Sequence, residues 1–576
     1  MVKQDAGDPG EWTREGLTGA ETLLLGLKRA GIDYIFANAG TDFPPIIEAF
    51  VALDADSVPE PVTVPHETAG VAMAHGYYLM TGAPQAVMVH VNVGLANSAM
   101  GVINAASDNI PLLMMSGRTP ITESGRLGSR MTPIQYGQEM YDQSSLVSDV
   151  AKFSYEMRYP EQGDMLAVRA TSLAMSEPRG PVYVALPREP LMEKVAAKAA
   201  RPAAHQVPAS APHPDPEATA LAAAWLAAAK KPLILCQRGD PEGRLAEALA
   251  ALASTHGIPV IEPFPIRNLM PSDHPMFLGH DVKGPLSEAD VVLVVDSGVP
   301  WMEAVHRPAD GTKIVHIGTD PNFQRMPVRG YQADLAITSD PAAGIASIAR
   351  AMGEPGPAVA ERRADAGRRS AQRLAAAEEL AQQGRTGPMS AEWLSKCISD
   401  IMDERAVVFG ELGVVPGAMR VSGANRVFIN PHSGGLGWAM PAALGAQLAD
   451  RERLVIACIG DGSYMFANPI ACHQIAEALD LPILTIVKNN GIWNAVRRSV
   501  VNSYPDGAAA KANAMPLVSL EPAPDYCMVA AASRAHVERV EHGDDLPAAL
   551  ERALSVIRNE RRQAFLEVRV ALSDSH

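Results

Sequence analysis

The sequence predicts an α/β protein made of three doubly wound parallel-sheet domains. Three observations predict it. Apolar runs of strand length alternate with stretches of helical spacing, and strand, crossover helix, strand in that order means a parallel sheet. Two stretches without apolar periodicity, residues 196–216 and 355–388, break the chain into three parts. With 576 residues the chain also exceeds what a single core usually holds.

In chain order, Thr18 to Ala30 is amphipathic, and Tyr34 to Ala37 is a short strand ending at Asn38-Ala39-Gly40. His66-Glu67 opens a helix whose small and apolar residues (Ala69, Val71, Ala72, Ala74) face a sheet, and it ends near Gly82. Val87 to Val91 and Leu112 to Ser116 read as buried strands, with a small-residue helix from Asn97 to Ala106 crossing between them; Val182 to Leu186 closes the set. Residues 196–216, rich in Ala, Pro and His, are a linker. A second unit carries strands at Leu233–Leu235, Val291–Val295 and Ile314–Ile317. After Gly-Glu-Pro-Gly-Pro the composition shifts to Ala, Arg and Glu, as in a solvated helical connector. The third unit starts near Ser390 and ends with a strand from Phe565 to Val570. The domains expected are 1–195, 216–353 and 388–576.

Composition excludes several classes. Apolar residues are 47% and charged residues 20% of the chain, as in globular proteins, and no stretch reaches the length of a membrane span. The formal charge of −16 argues against nucleic acid or an anionic membrane as partner. The start, MVKQDAGDPGEW, lacks a secretory or transit pattern and points to the cytoplasm. Five scattered cysteines without a CxxC fit reduced thiols.

The chemistry concentrates between Leu454 and Arg497. The apolar run Leu454 to Ile459 ends directly at Gly460-Asp461-Gly462, so the acid sits at a strand's C-terminal edge, where ligands of α/β sheets bind. Pro469 to Leu479 has helical spacing and would direct free N–H groups toward that edge. A second strand, Ile483 to Val487, ends at Asn489-Asn490. A carboxylate and a carboxamide on neighbouring strand ends suit a magnesium ion shared with a ligand's phosphates, which makes a diphosphate the expected ligand.

Gly460-Asp461-Gly462 and Asn489-Asn490, with residues 463–488 between them, resemble the signature of the thiamine-diphosphate family that includes acetolactate synthase, pyruvate oxidase and benzoylformate decarboxylase. The resemblance covers nearly the whole chain. It implies a pyrimidine-binding first domain, a central domain and a diphosphate-binding third domain. Carried over, Asp461 and Asn490 bind magnesium through side chains and Ile492 through its carbonyl, with Gly460, Gly462 and Ser463 near the cofactor. Glu67, in a His-Glu segment at a helix start, matches the glutamate that bonds the aminopyrimidine and promotes loss of the thiazolium proton. Gly40 lies on the same pyrimidine side. In Ser433-Gly434-Gly435-Leu436-Gly437, the glycines permit close backbone approach, and Leu436 aligns with the residue that bends the cofactor. His90 aligns with a proton-relaying histidine of benzoylformate decarboxylase, or else is a core histidine on a backbone carbonyl. Gln138-Glu139 resembles a Phe-Gln-Glu segment of acetolactate synthase, with Gly137 in place of the aromatic.

Departures matter too. Acetolactate synthases hold FAD partly through a Gly-x-Arg-Phe-Asp-type turn, where this chain has Asp296-Ser297-Gly298-Val299-Pro300-Trp301, so FAD is doubtful. Their substrate-selecting tryptophan is Ser499 here, whereas Asn489 to Arg497 reads more like the decarboxylase version. The Glu411 to Gly417 loop offers mainly backbone donors. The expectation is a thiamine-diphosphate- and Mg2+-dependent, acetolactate synthase-like enzyme that makes or breaks a C–C bond next to the carbonyl of a 2-oxo acid or related substrate. The alternatives are a benzoylformate-type 2-oxo acid decarboxylase without carboligation, and a non-catalytic cofactor-binding paralogue. The resemblance implies a homodimer or homotetramer.

Overall fold

The computed structural model describes residues 13–386, 389–512 and 514–572. The outer ends of the expected domains, at 1, 388 and 576, lie outside them. Three sheets form, and every strand pairing in them is parallel. The first contains β1 (Tyr34–Asn38), β2 (Glu60–Thr63), β3 (Ala86–Val89), β4 (Leu113–Arg118), β5 (Ser154–Glu156) and β6 (Val182–Pro187) in the order β2-β1-β3-β4-β6-β5. The second contains β7 (Pro232–Cys236), β8 (Val260–Ile261), β9 (Val291–Val295), β10 (Lys313–Gly318) and β11 (Leu335–Thr338) in the order β11-β10-β9-β7-β8. The third contains β12 (Val407–Glu411), β13 (Val427–Ile429), β14 (Val455–Gly460), β15 (Leu484–Asn489), β16 (His536–Val540) and β17 (Ala564–Arg569) in the order β13-β12-β14-β15-β17-β16.

Each order reverses beside its first strand, between β1 and β3, between β7 and β9, and between β12 and β14. These switch points are where the strand C-terminal ends of an open α/β sheet leave a crevice. The chain divides into two compact units, Met1–Ser210 with Pro431–Ala449, and Ala211–Asn430 with Asp450–His576.

In the first unit one face of the sheet buries Ile35, Met88, Leu113 and Val184 against Leu23, Leu27 and Leu166 of flanking helices. The Glu67–Thr81 helix, capped by His66 and ended by Gly82 in the left-handed conformation, is buried over nearly its whole length. It meets the Ala439–Ala449 helix at contact distance, because a Cβ on Gly76 would overlap the Ala442 carbonyl and one on Gly445 the Met73 carbonyl. In the second unit, Leu484, Ile486, Ile456 and Leu566 pack on the Ala391–Asp400 and Leu546–Glu560 helices.

Most expected elements appear within a few residues, and three expectations need correction. The crossover helix expected from Asn97 runs Val91–Ser107, so His90 caps a helix instead of ending a strand, and Gly94 to Asn97 are helical. The cause is local: Val91 takes φ +33°, turning the chain from strand to helix in one residue. Asp461 likewise opens a helix, Asp461–Phe466, with Gly460 as N-cap, so the first helix to follow β14 starts at Asp461 and not at Pro469. The connector is a helix, Val359–Gln383, but it is not wholly solvated. Ala366 is buried, and Arg362 donates to the Ala229 and His256 carbonyls at 2.8 Å. Among the described residues no helix is long and apolar enough to cross a membrane. Four of the five cysteines are buried and none is in a disulfide.

Candidate active site

At the diphosphate end, β14 and β15 lie side by side with Gly460 paired to Lys488, so Asp461 and Asn490 emerge from adjacent strand ends. Asp461 is 4% exposed. Its Oδ1 accepts the Gly462 N–H at 2.8 Å, and its Oδ2 accepts Gly491 N–H at 2.8 Å and Asn490 N–H at 3.2 Å. Burial pushes its pKa above the usual carboxylate range, against those backbone donors and the Lys488 charge. A cation at the site would favour the ionised form. Asn490 Oδ1 accepts Ile492 N–H at 3.1 Å, and the Ile492 carbonyl accepts Asn494 N–H at 2.9 Å; each oxygen keeps a lone pair. The Trp493 ring lies over Gly462, where a Cβ would overlap it. Ser463 Oγ is buried and has no hydrogen-bond partner among the described residues. A buried carboxylate, spare carbonyl and carboxamide lone pairs, an orphaned hydroxyl and a helix N-terminus fit a magnesium–diphosphate group.

In the other unit the ends of β1 and β3 bring together residues distant in sequence. Glu67, 8% exposed, sits in the first turn of its helix and accepts the Asn97 Nδ2 hydrogen at 3.1 Å on Oε2. His90 Nδ1 lies 2.5 Å from Asp42 Oδ1, and Asp42 Oδ2 accepts the Val91 N–H at 3.2 Å. Gln138 Nε2 lies 3.1 Å from His90 Nε2. The hydrogen bond to Asp42 raises the His90 pKa above its ordinary value; burial opposes it, and the charges of Asp42 and Glu67 add to it. Gly40 is required where the His90 ring lies against the backbone, since a Cβ there would overlap the ring. His90 is therefore not a core histidine on a backbone carbonyl.

The glycine-rich segment belongs to this same unit. Gly435 exchanges two hydrogen bonds with the Asn104 side chain, at 3.0 and 3.1 Å, while Gly434 and Gly437 take positive φ. Leu436 is half-buried instead of sitting in a core.

The structure thus gathers Glu67, His90, Gln138 and Gly40 in one unit and Asp461, Asn490, Ile492, Gly460, Gly462 and Ser463 in the other. Sequence reasoning missed Asp42 and Asn97. Asp42 follows the β1 end at the switch point, which marks it as a strand-edge acid much as the Gly-Asp-Gly context marks Asp461.

Comparison with known proteins identifies the family. Residues 17–146 match the thiamine pyrophosphate enzyme N-terminal TPP binding domain, 219–348 the central domain and 411–568 the C-terminal TPP binding domain. The chain is 26% identical over 556 residues to benzoylformate decarboxylase of Pseudomonas aeruginosa, covering 92% of this chain and 96% of that one. It is 27% identical over 516 residues to a protein of that organism named Probable 2-ketoarginine decarboxylase AruI, covering 84% and 86%. It is 26% identical over 542 residues to the acetolactate synthase large subunit IlvG of Mycobacterium tuberculosis, covering 92% of each. A 4-hydroxybenzoylformate decarboxylase structure from Rhodococcus jostii shares the fold, with TM-score 0.75 at 22% identity over 97% of this chain and all of that one.

Proposed function

The chain belongs to the thiamine pyrophosphate enzymes, and from that premise we propose that it decarboxylates a 2-oxo acid with thiamine diphosphate and magnesium, a proton taking the place of the lost carboxylate. When bound, the cofactor supplies a nucleophilic carbon and an acceptor for the electron pair released with carbon dioxide. The Asp461 and Asn490 side chains and the Ile492 carbonyl would hold the ion, and the Asp461–Phe466 helix N-terminus would face the diphosphate. Glu67 would share a proton with the aminopyrimidine nitrogen, its Oε2 kept in place by Asn97. Leu436 would support the bent cofactor.

The observation that carries the reading is the Asp42–His90–Gln138 chain beside Glu67. With Nδ1 tied to Asp42, His90 presents Nε2 toward Gln138, and its raised pKa suits a group that donates a proton near neutral pH. A proton donor at that position favours aldehyde formation over capture by a second carbonyl. Incubating the purified protein with thiamine diphosphate, Mg2+ and a panel of 2-oxo acids tests it. Carbon dioxide with aldehyde is the expected result, and carbon dioxide with acyloin as the main product would overturn the reading in favour of acetolactate-type ligation.

A further inference from the structure

Glu567 sits on β17, between β15 and β16, and is 2% exposed. A carboxylate so placed is costly unless its oxygens are bonded, and both are. Oε1 accepts the Asn489 Nδ2 hydrogen at 2.7 Å and Oε2 accepts Arg539 Nε–H at 2.9 Å. Asn489 is itself 1% exposed, and its Oδ1 accepts Gly491 N–H at 3.0 Å and Arg569 Nη1–H at 3.1 Å. The Gly491 N–H also points at Asp461 Oδ2, at 2.8 Å. The turn 489–491 is therefore fastened on one side by Asp461 and on the other, through the Asn489 carboxamide, by Glu567.

We propose that Glu567 is a positioning residue for the metal–diphosphate site: by accepting from Asn489 it fixes the orientation of that carboxamide, and with it the turn that carries Asn490 and the N–H groups that orient Asp461. This rests on the reading of Asp461 and Asn490 as metal ligands. If the Asn489 amide turned over, its Nδ2 would face the Gly491 N–H and the Arg569 guanidinium, donor against donor. Glu567 is the acceptor that prevents this. Asp525, Cys527 and Glu567 bring ligand atoms within 4.8 Å of one another, which invites a metal at that cluster instead. The Arg539 guanidinium already supplies the positive charge there, bonding Glu567 and lying 3.3 Å from Asp525.

The test separates reach from charge. Mn2+ is titrated, by electron paramagnetic resonance of the free ion, into the full chain with saturating thiamine diphosphate. Arg539→Gln removes the charge that faces Glu567 Oε2 and leaves Oε1 to accept from Asn489, so it is expected to lower thermal stability while holding Mn2+ affinity close to wild type. Glu567→Asp keeps the charge and loses the reach, so it is expected to weaken Mn2+ roughly 10–100-fold, the usual effect of removing an outer support of a metal ligand. Wild-type affinity in Glu567→Asp, or equal losses in both variants, would overturn the proposal. Asp461→Ala locates a failure: if it loses Mn2+ while Glu567→Asp does not, the positioning role alone falls, and if it binds Mn2+ like wild type, the metal reading falls as well.

Discussion

The carboxylates of this chain do different work because their surroundings differ. Glu67 has an exposed asparagine as its hydrogen-bond partner and lies beside a histidine; Asp461 is enclosed by backbone donors at a helix start. From the first placement, Glu67→Gln is expected to leave the cofactor bound but to slow exchange of its C2 proton about 100-fold or more, within the usual range for loss of a positioned acid–base group. Equal exchange rates by NMR would remove Glu67 from catalysis. From the second, Asp461→Ala and Asn490→Ala are each expected to weaken thiamine diphosphate binding in the presence of Mg2+ by more than about tenfold; unchanged affinity in both would sink the ligand assignment. Asp42 acts through His90. The folded protein holds the His90 proton to higher pH than a free imidazole would, so activity that needs this proton persists below the raised pKa and is lost as pH rises through it. Asp42→Asn should move that alkaline limb of kcat to lower pH; an unmoved limb would separate His90 from the rate. Glu67 and Asp461 were legible in the sequence because short motifs surround them. Asp42, Asn97 and Glu567 were not, since their placement shows only in contacts across 30 to 78 residues of sequence.

Elements were legible in proportion to their burial. The central strands read correctly because both faces are covered and their residues are apolar throughout, as in β14 and β9. The short or edge strands β2, β5, β8, β11 and β13 have two to four residues, too few to show a period. Buried polar chains inside elements were equally invisible. Tyr464 and Gln563 hold His473 at 2.8 and 2.7 Å, tying the Asp461–Phe466 and Pro469–Ala478 helices to the start of β17. Burial lowers the His473 pKa from 6.5 to about 4. The unfolded chain therefore binds a proton below about pH 6.5 that the folded chain refuses until about pH 4, and stability falls as pH drops through that window. Thermal unfolding of His473→Gln should depend less on pH over the same range; an unchanged pH dependence would assign the loss elsewhere. In the central sheet, the segment where the resembling synthases carry their flavin arginine ends in Trp301, fully buried against Tyr331 with its Nε1 bonded to Glu303. Residues 296–301 themselves carry no arginine, and the purified protein is expected to show no stoichiometric flavin absorbance after desalting.

At the scale of the whole molecule, the residues proposed for the two ends of the cofactor lie in separate compact units, Glu67 in one and Asp461 in the other. In the resembling family those ends come from different subunits, and the surfaces near both fit that design. Phe466 and Ile470, beside the Asp461 helix, are 53% and 68% exposed, and Met131 and Tyr136, on the segment that leads to Gln138, are 79% and 51% exposed. Large apolar side chains exposed around a candidate site mark surfaces that a partner covers. A two-fold symmetric pair of chains would then build two sites at one interface, while a single chain would hold only half-sites. The expected active form is a homodimer or a dimer of dimers, and complementation tests it. Glu67→Gln and Asp461→Ala proteins, each inactive, are mixed under subunit exchange. In a mixed dimer one site receives both altered residues and the other receives neither, so half of the sites in mixed dimers should recover wild-type turnover. Mixed dimers confirmed by mass spectrometry yet devoid of activity would show instead that each chain builds its own site, with Glu67 and Asp461 acting on the same cofactor from within one molecule.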